Sequence, residues 1–399
     1  MTDTDAAVVG GGATGVALAR DLAERGVETT LVERDDLAAG ASGAMHGLLH
    51  SGARYAVADP ESARACIAEN RVVRDVAPDC VADTGGLFVS LPADPDDYLD
   101  RLEAACADCG IETERLTGAE AREREPGLSP DTEAALAVPD ATVDPVRLVA
   151  ATALAAERAG AEIRTGTAVT DVLVEDGRAV GVELDGGERI GAEVVVNAAG
   201  AWGEQVAALA GVPLDMTPSR GAMTVVGDAL VSGVVNRCRP KSSGDIVVPC
   251  GDACILGTTD VEVDDPDDFA VDDREVALLF EELTPAVPAL ADAAVDHTYW
   301  GVRPLYEPDA DGDSVGFSRT FSLLDHAERD DRPGFVSVVG GKLTTHRAMA
   351  EAAADLVCDR LGVAADCVTA DEPLPDADEA TARYGLSDLL TGTRRASRR

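Results

Sequence analysis

One stretch, residues 6–36, AAVVGGGATGVALARDLAERGVETTLVERDD, constrains this chain more than any other. Residues 6–9 are a short apolar run with β-branched side chains, which suits a buried parallel strand. Gly10, Gly12 and Gly15 follow it as GxGxxG. In that spacing the first glycine makes the tight turn, and the second lets backbone N–H groups, here around Ala13 and Thr14, approach a pyrophosphate. The third lets helix and strand pack closely. The helix N-terminus then faces the anion with unpaired N–H groups. Gly26 ends the helix after Arg25, Thr29–Val32 reads as a second strand, and Glu33 stands at its carboxyl end with Arg34 beside it. That is the position from which a carboxylate accepts hydrogen bonds from a ribose. A lone GxGxxG is weak evidence, but strand, helix, strand and acid in this order describe a dinucleotide-binding βαβ unit.

The 399 residues suffice for two domains with real cores. The formal net charge is −41, with 74 acidic residues against 33 basic ones, and only Lys241 and Lys342 are lysines. Such a surface repels nucleic acid and anionic membranes. Acid spread along a lysine-poor chain is read as adaptation to a high-salt cytoplasm, where counterions screen self-repulsion. The nine scattered cysteines, with no signal peptide ahead of the first strand, read as reduced cytoplasmic thiols. Cys106/Cys109 and Cys250/Cys254 lack a second pair at metal-site spacing, so no metal is expected. No apolar run approaches a membrane span, so any membrane role requires a partner.

Along the chain, the loop after Glu33 is rich in small residues and carries His46, His50, Arg54 and Tyr55. Helices are expected at residues 61–76, 98–110, 144–159 and 348–361. Strands are expected at 85–91, in a small β-meander between 160 and 192, at 194–197 and at 335–339. Residues 123–137 look broken, 217–332 look β-rich, and the chain from 364 onward looks like a polar tail. Asp309, Asp311 and Asp313 alternate as in a calcium loop, but Gly312 comes two positions early and Thr320 stands where a bidentate Glu belongs. The acidic run 264–268 is taken as solvated surface. The strands at 194–197 and 335–339 both end in glycine-rich turns, at Gly200 with Trp202 beside it and at Gly340. A cofactor met at three separated turns is a long one, which favours FAD over NAD. Flavin disulfide reductases need a second dinucleotide motif and a redox cysteine pair, and neither is present.

The ordered blocks ASGAMHGLLHSGARYAVADPESARACIAEN, VPDATVDPVRL, VVVNAAGAWG, VNRCRPKSSGDIVVP, LGTTD, GVRPL, SLLDHAERD and VVGGKLTTHRAMAE closely resemble the family of catalytic A subunits of anaerobic glycerol-3-phosphate dehydrogenase. That family belongs to the D-amino-acid oxidase-like FAD oxidoreductases. The resemblance implies an α/β fold: a Rossmann-type FAD domain (residues 1–78, 141–214 and 333–368) with a parallel sheet and β-meander, and an α+β substrate domain (79–140 and 215–332) on a mainly antiparallel sheet. Residues 369–399 remain as a polar tail. It also implies Glu33 on the ribose, Ser42 and Gly43 near the pyrophosphate and flavin, Val169 near the adenine, and Ala199, Gly200, Gly341, Leu343 and Thr344 along the flavin. His50, Arg54, Tyr55, Arg303 and Lys342 would surround the phosphate and C2 hydroxyl of glycerol 3-phosphate, with His50 as base and Arg303 and Lys342 also counted as catalytic. Forked guanidinium groups and an ammonium suit a phosphate monoester.

The implied partners are a small phosphate ester and the other subunits of a membrane-associated dehydrogenase, which would hold this cytoplasmic chain at the inner face of the cell membrane. Two departures stand out: Ala44 and Met45 replace a more polar pair, and His346 stands in place of Tyr. Longer members carry a cysteine-rich C-terminal domain that resembles a small iron–sulfur module. The chain stops before it, so the electron exit route stays open. The rival readings are an amino-acid or 2-hydroxyacid oxidase of the same fold and a non-catalytic flavin-carrying subunit.

Overall fold

A computed structural model describes residues 2–306 and 321–396. β1 (Thr2–Val9), α1 (Ala13–Glu24) and β2 (Thr29–Val32) form the βαβ unit expected from the glycine motif. β1 sits in the middle of a parallel array ordered Glu162–Arg164, β2, β1, Arg189–Asn197, Phe335–Gly340. Register sets the strand ends level, because Val9 pairs with both Val32 and Asn197, and Asn197 pairs with Ser337. The turns that carry Gly10, Glu33, residues 198–200 and residues 340–341 therefore open along one edge of the sheet.

The meander is present, with an altered join. Val169–Glu175 and Arg178–Leu184 pair antiparallel, and the latter pairs with the first half of Arg189–Asn197, one continuous strand that is parallel to β1 from Ile190 to Asn197. Phe321–Asp325 also joins this first sheet, antiparallel to Phe335–Gly340, although the β-rich stretch to 332 is expected in the second. α1 is nearly all buried between the sheet and the helices Pro145–Ala159 and His346–Leu361. Alanines let these helices approach closely, while Val16, Leu18 and Leu22 fill the space between them, each contributing about 2 kcal/mol by burial.

The second sheet is mainly antiparallel and includes Ser219–Val226, Ala253–Gly257, Ile246–Cys250, Val234–Arg237, Gly86–Ser90 and Val295–Arg303. It also contains Ala134–Val138, in the region expected to be broken. That segment is alanine-rich and weak by propensity, and becomes a strand because Gly86–Ser90 and Glu114–Thr117 pair with its two edges. The expected polar tail from 369 is corrected too. The helix Ala377–Tyr384 packs on Pro145–Ala159 through buried Ala377 and Ala380, and Leu389–Ala396 seats buried Leu389 in a cluster with Met223 and Tyr299. A few small apolar side chains on one face carry that burial, and the polar composition hides them.

The calcium-like loop at Asp309, Asp311, Asp313 and Thr320 lies outside the described residues. Among the described residues the nine thiols are free, and burial pushes those of Cys80 and Cys106 up to about 12. No described helix is long and apolar enough to cross a membrane.

Candidate active site

A cavity of about 790 Å³ opens along the row of strand ends. From the end of β2 to the end of Phe335–Gly340 is three strand spacings, roughly 14 Å, so only an extended ligand touches all four turns. At β1 the turn requires glycine: Gly10 has φ +116°, and a Cβ there would lie 2.5 Å from the Ala198 carbonyl oxygen. Glu33 is held by backbone donors, from Gly11 N at 2.6 Å and Asp35 N at 2.8 Å. Ser42 Oγ accepts from Ala13 N at 2.9 Å, at the first turn of α1. These features fit a dinucleotide with its pyrophosphate at the α1 N-terminus. All the cofactor residues expected from sequence line the cavity except Gly15 and Gly43. Those two serve packing, since Cβ atoms there would lie 1.9 Å from Gly10 O and 2.4 Å from Ala38 O.

A second pocket of about 320 Å³ shares a wall with the first at His50, Tyr55 and Arg303. It is lined by three cations, Arg54, Lys241 and Arg303, against one carboxylate, Asp260. In a chain of net charge −41 this is a local inversion of sign. Arg303 Nη2 donates to Thr258 Oγ1 and to Thr259 O, both at 2.8 Å, and its Nη1 lies 3.6 Å from Asp260. Gly221 makes room for it, because a Cβ there would come 2.4 Å from Nη2. Arg54 is 8 % exposed and donates to Asp245 at 3.1 Å.

His50 is buried, its ring 5.3 Å from that of Tyr55, and its backbone N donates to Thr344 Oγ1 at 3.1 Å. That bond ties the 341–344 turn to the residues ahead of Arg54. Below it, the fully buried Asp140 accepts from Ser51 N at 2.8 Å, and burial raises its carboxyl above the ordinary range. Lys342 lines the larger cavity but not the smaller pocket. Its Nζ donates to Ser62 Oγ at 3.0 Å and lies 4.5 Å over the Tyr55 ring. Of the expected substrate residues, His50, Arg54, Tyr55 and Arg303 therefore share the small pocket, and Lys342 stands behind Tyr55.

Lys241 is one residue that sequence reasoning missed. The scarcity that singled out Lys342 applied equally to it, since both lysines of the chain line these cavities. Asp267 was missed as well. Although the run 264–268 is expected to be plain surface, Asp267 takes a forked pair from Arg34 at 2.6 and 3.0 Å and a bond from Trp202 Nε1 at 2.8 Å. Arg34 lies 4.4 Å over the Trp202 ring, and all three residues line the mouth of the larger cavity. Of the two departures, Met45 gives its carbonyl to Tyr299 Oη at 2.7 Å, and buried His346 places Nδ1 2.7 Å from Leu343 O. Among the described residues no group of three or more His, Cys, Asp or Glu is placed to hold a metal.

The sequence model described as FAD dependent oxidoreductase matches residues 5–356, and the chain belongs to that family. Within it, the likeness to A subunits of anaerobic glycerol-3-phosphate dehydrogenase runs almost the whole length. The one from Haloferax volcanii, designated A1, is 52 % identical over 390 residues, covering 94 % of this chain and 67 % of that protein. The one from Escherichia coli K12 is 44 % identical over 383 residues, covering 94 % and 71 %. Among solved structures, L-alpha-glycerophosphate oxidase from Mycoplasma pneumoniae with FAD bound superposes with TM-score 0.75 at 21 % identity, covering 94 % of this chain and all of that one. Glycine oxidase from Geobacillus kaustophilus gives TM-score 0.75 at 23 % identity, covering 94 % and 99 %. At such identities the structures speak for the shared fold.

Proposed function

We propose that the chain oxidises sn-glycerol 3-phosphate to dihydroxyacetone phosphate, with FAD in the larger cavity and the phosphate ester in the smaller pocket. The observation that carries this reading is the pocket of three cations against one carboxylate joined to the dinucleotide cavity at His50. A phosphate monoester carries close to two negative charges and several acceptor oxygens, which suits a wall with three cations. The names of the relatives support the same substrate.

Bound FAD supplies a hydride acceptor for the hydrogen on C2. Arg54, Lys241 and Arg303 hold the phosphate, and His50 at the shared wall takes the C2 hydroxyl proton. Tyr55 packs between His50 and Lys342, and the Lys342 ammonium opposes negative charge that builds in the larger cavity. An amino-acid or 2-hydroxyacid substrate brings one carboxylate, with fewer acceptor oxygens and less charge for the three cations of this wall.

We further propose that electrons leave through partner subunits, which also hold the chain at the inner face of the cell membrane. Sedimentation with washed membranes only when those subunits are co-expressed is the expected result.

The test of the substrate is anaerobic. The flavoprotein purified in high KCl is mixed in turn with sn-glycerol 3-phosphate, D-amino acids and 2-hydroxyacids, and the flavin band is followed. Bleaching by glycerol 3-phosphate alone is expected, whereas bleaching by another class names that class instead, and none at all favours a non-catalytic role. His50→Ala should slow reduction by about 10²-fold or more with flavin retained. Arg303→Ala should raise the half-saturating substrate concentration by about tenfold or more.

A further inference from the structure

Asp245 is a buried carboxylate beside the small pocket, and its side chain is 1 % exposed. It follows Gly244, whose φ of +68° turns the chain back after the loop that carries Lys241, Ser242 and Ser243. Arg54 reaches it at 3.1 Å, and Arg239 at 2.9 Å through Nε and 2.6 Å through Nη2. Ser242 gives both its backbone N–H and its hydroxyl. Gly244 N, one residue earlier, donates at 3.2 Å to the carbonyl of Thr258, the residue whose hydroxyl holds Arg303.

The Asp245 carboxylate thus joins two parts of the pocket from distant stretches of sequence, Arg54 and the Lys241 loop, and the backbone of Gly244 beside it ties that loop to Thr258, which holds Arg303. Arg239 is shared with Glu282, 2.7 Å from its Nη1, so Asp245 is the one carboxylate that Arg54 is shown to bond. The geometry of Arg54 is also set, since it spends one nitrogen on Asp245 and stands at the pocket wall. Removing one partner of a buried charge pair leaves the other uncompensated and free to reorient.

We propose that Asp245 is the positioning residue of the anion subsite, acting through Arg54 and the Lys241 loop to fix the cations that face a phosphate group. The proposal deepens the phosphate-ester reading and rests on it for the substrate, while its test uses inorganic phosphate as well. A positioning residue of this kind acts on ligand affinity far more than on the chemical step, and its effect runs through the group it holds.

The experiment is a double-mutant cycle of Asp245→Asn and Arg54→Gln in the FAD-loaded protein at fixed molar KCl. It reads the dissociation constant for inorganic phosphate by calorimetry, together with the half-saturating glycerol 3-phosphate concentration and limiting rate of flavin reduction. Asp245→Asn is expected to weaken phosphate and substrate binding about tenfold or more while the limiting rate changes less than threefold. In the Arg54→Gln background it is expected to weaken binding by a clearly smaller factor than in the wild type, the remainder being what it exerts through the Lys241 loop, because non-additivity marks action through the shared partner. If Asp245→Asn fails to fold, Asp245→Glu, which keeps the charge and displaces it by one methylene, takes its place with the same expectation.

Unchanged phosphate affinity, a fully additive cycle, a loss confined to the limiting rate, or a wild-type protein that does not bind phosphate would each overturn the proposal. If the phosphate cycle behaves as expected while glycerol 3-phosphate leaves the flavin oxidised, the substrate reading fails and the anion subsite stands.

Discussion

His346 shows how a single side chain can couple this fold to pH. It is buried with Nδ1 2.7 Å from the Leu343 carbonyl, and burial pulls its pKa from 6.5 down to about 4. The unfolded chain therefore takes up a proton between pH 6.5 and 4 that the folded chain refuses. Stability from this group is full above 6.5 and is lost as pH falls toward 4, by roughly 3 kcal/mol at most. His346→Gln should flatten that part of the stability curve, measured as Tm against pH beside the wild type. A wild-type curve that is no steeper than the variant's between pH 6.5 and 4 would show that the imidazole is not held neutral. The residue was marked in the sequence as a departure from an expected Tyr. Its burial was not legible, since a His three residues after Leu343 is polar in any sequence pattern, and only the fold covers it.

Two elements do work that their composition conceals. The first is the segment 264–269, which reaches from the second sheet to the mouth of the larger cavity, where Asp267 meets Arg34 and Trp202. Arg34 holds the Asp267 carboxyl below its ordinary range. The pair is part-exposed, at 39 % and 47 %, so pair and ring contact together are worth about 1 kcal/mol. Asp267→Ala should therefore speed FAD release about fivefold, measured by fluorescence recovery after dilution, and the difference should shrink in molar salt. Equal release rates at low salt would mean that the contact does not retain the cofactor.

The second element is the C-terminal helix Leu389–Ala396. Leu389 is 1 % exposed, Thr393 Oγ1 lies 3.0 Å from His297 Nε2, and Asp144 accepts from Leu389 N. Leu389→Ala should cost about 3 kcal/mol, read as a lowered urea midpoint. A shift below 0.5 kcal/mol would return this helix to the status of a tail.

For the whole molecule the dominant quantity is the charge of −41. Surface arginines are spent on local carboxylates, as Arg164 is on Glu162 and Glu188 and Arg115 on Asp100 and Glu103. The remaining acids repel each other over a Debye length of about 10 Å at 0.1 M salt and about 3 Å at 1 M. Tm and flavin retention should therefore both rise from 0.1 to 2 M KCl, and a Tm that stays level across that range would rule out screening as the source of stability.

The sequence alone was enough for the first βαβ unit, the long cofactor and its three glycine turns, because each is a local requirement: a positive φ, a close backbone approach, a carboxylate at a strand end. The cationic character of the smaller pocket was also legible, through residues rare or out of place in an acidic chain. Other features were decided only by tertiary structure. Ala134–Val138 became a strand, Asp267 became a contact at the mouth of the larger cavity, the last helices packed, and Lys241 joined Arg54 and Arg303 around the smaller pocket. The physical reason is the same for all four: their roles come from partners far away in sequence, and neither propensity nor spacing encodes a partner that only folding brings near.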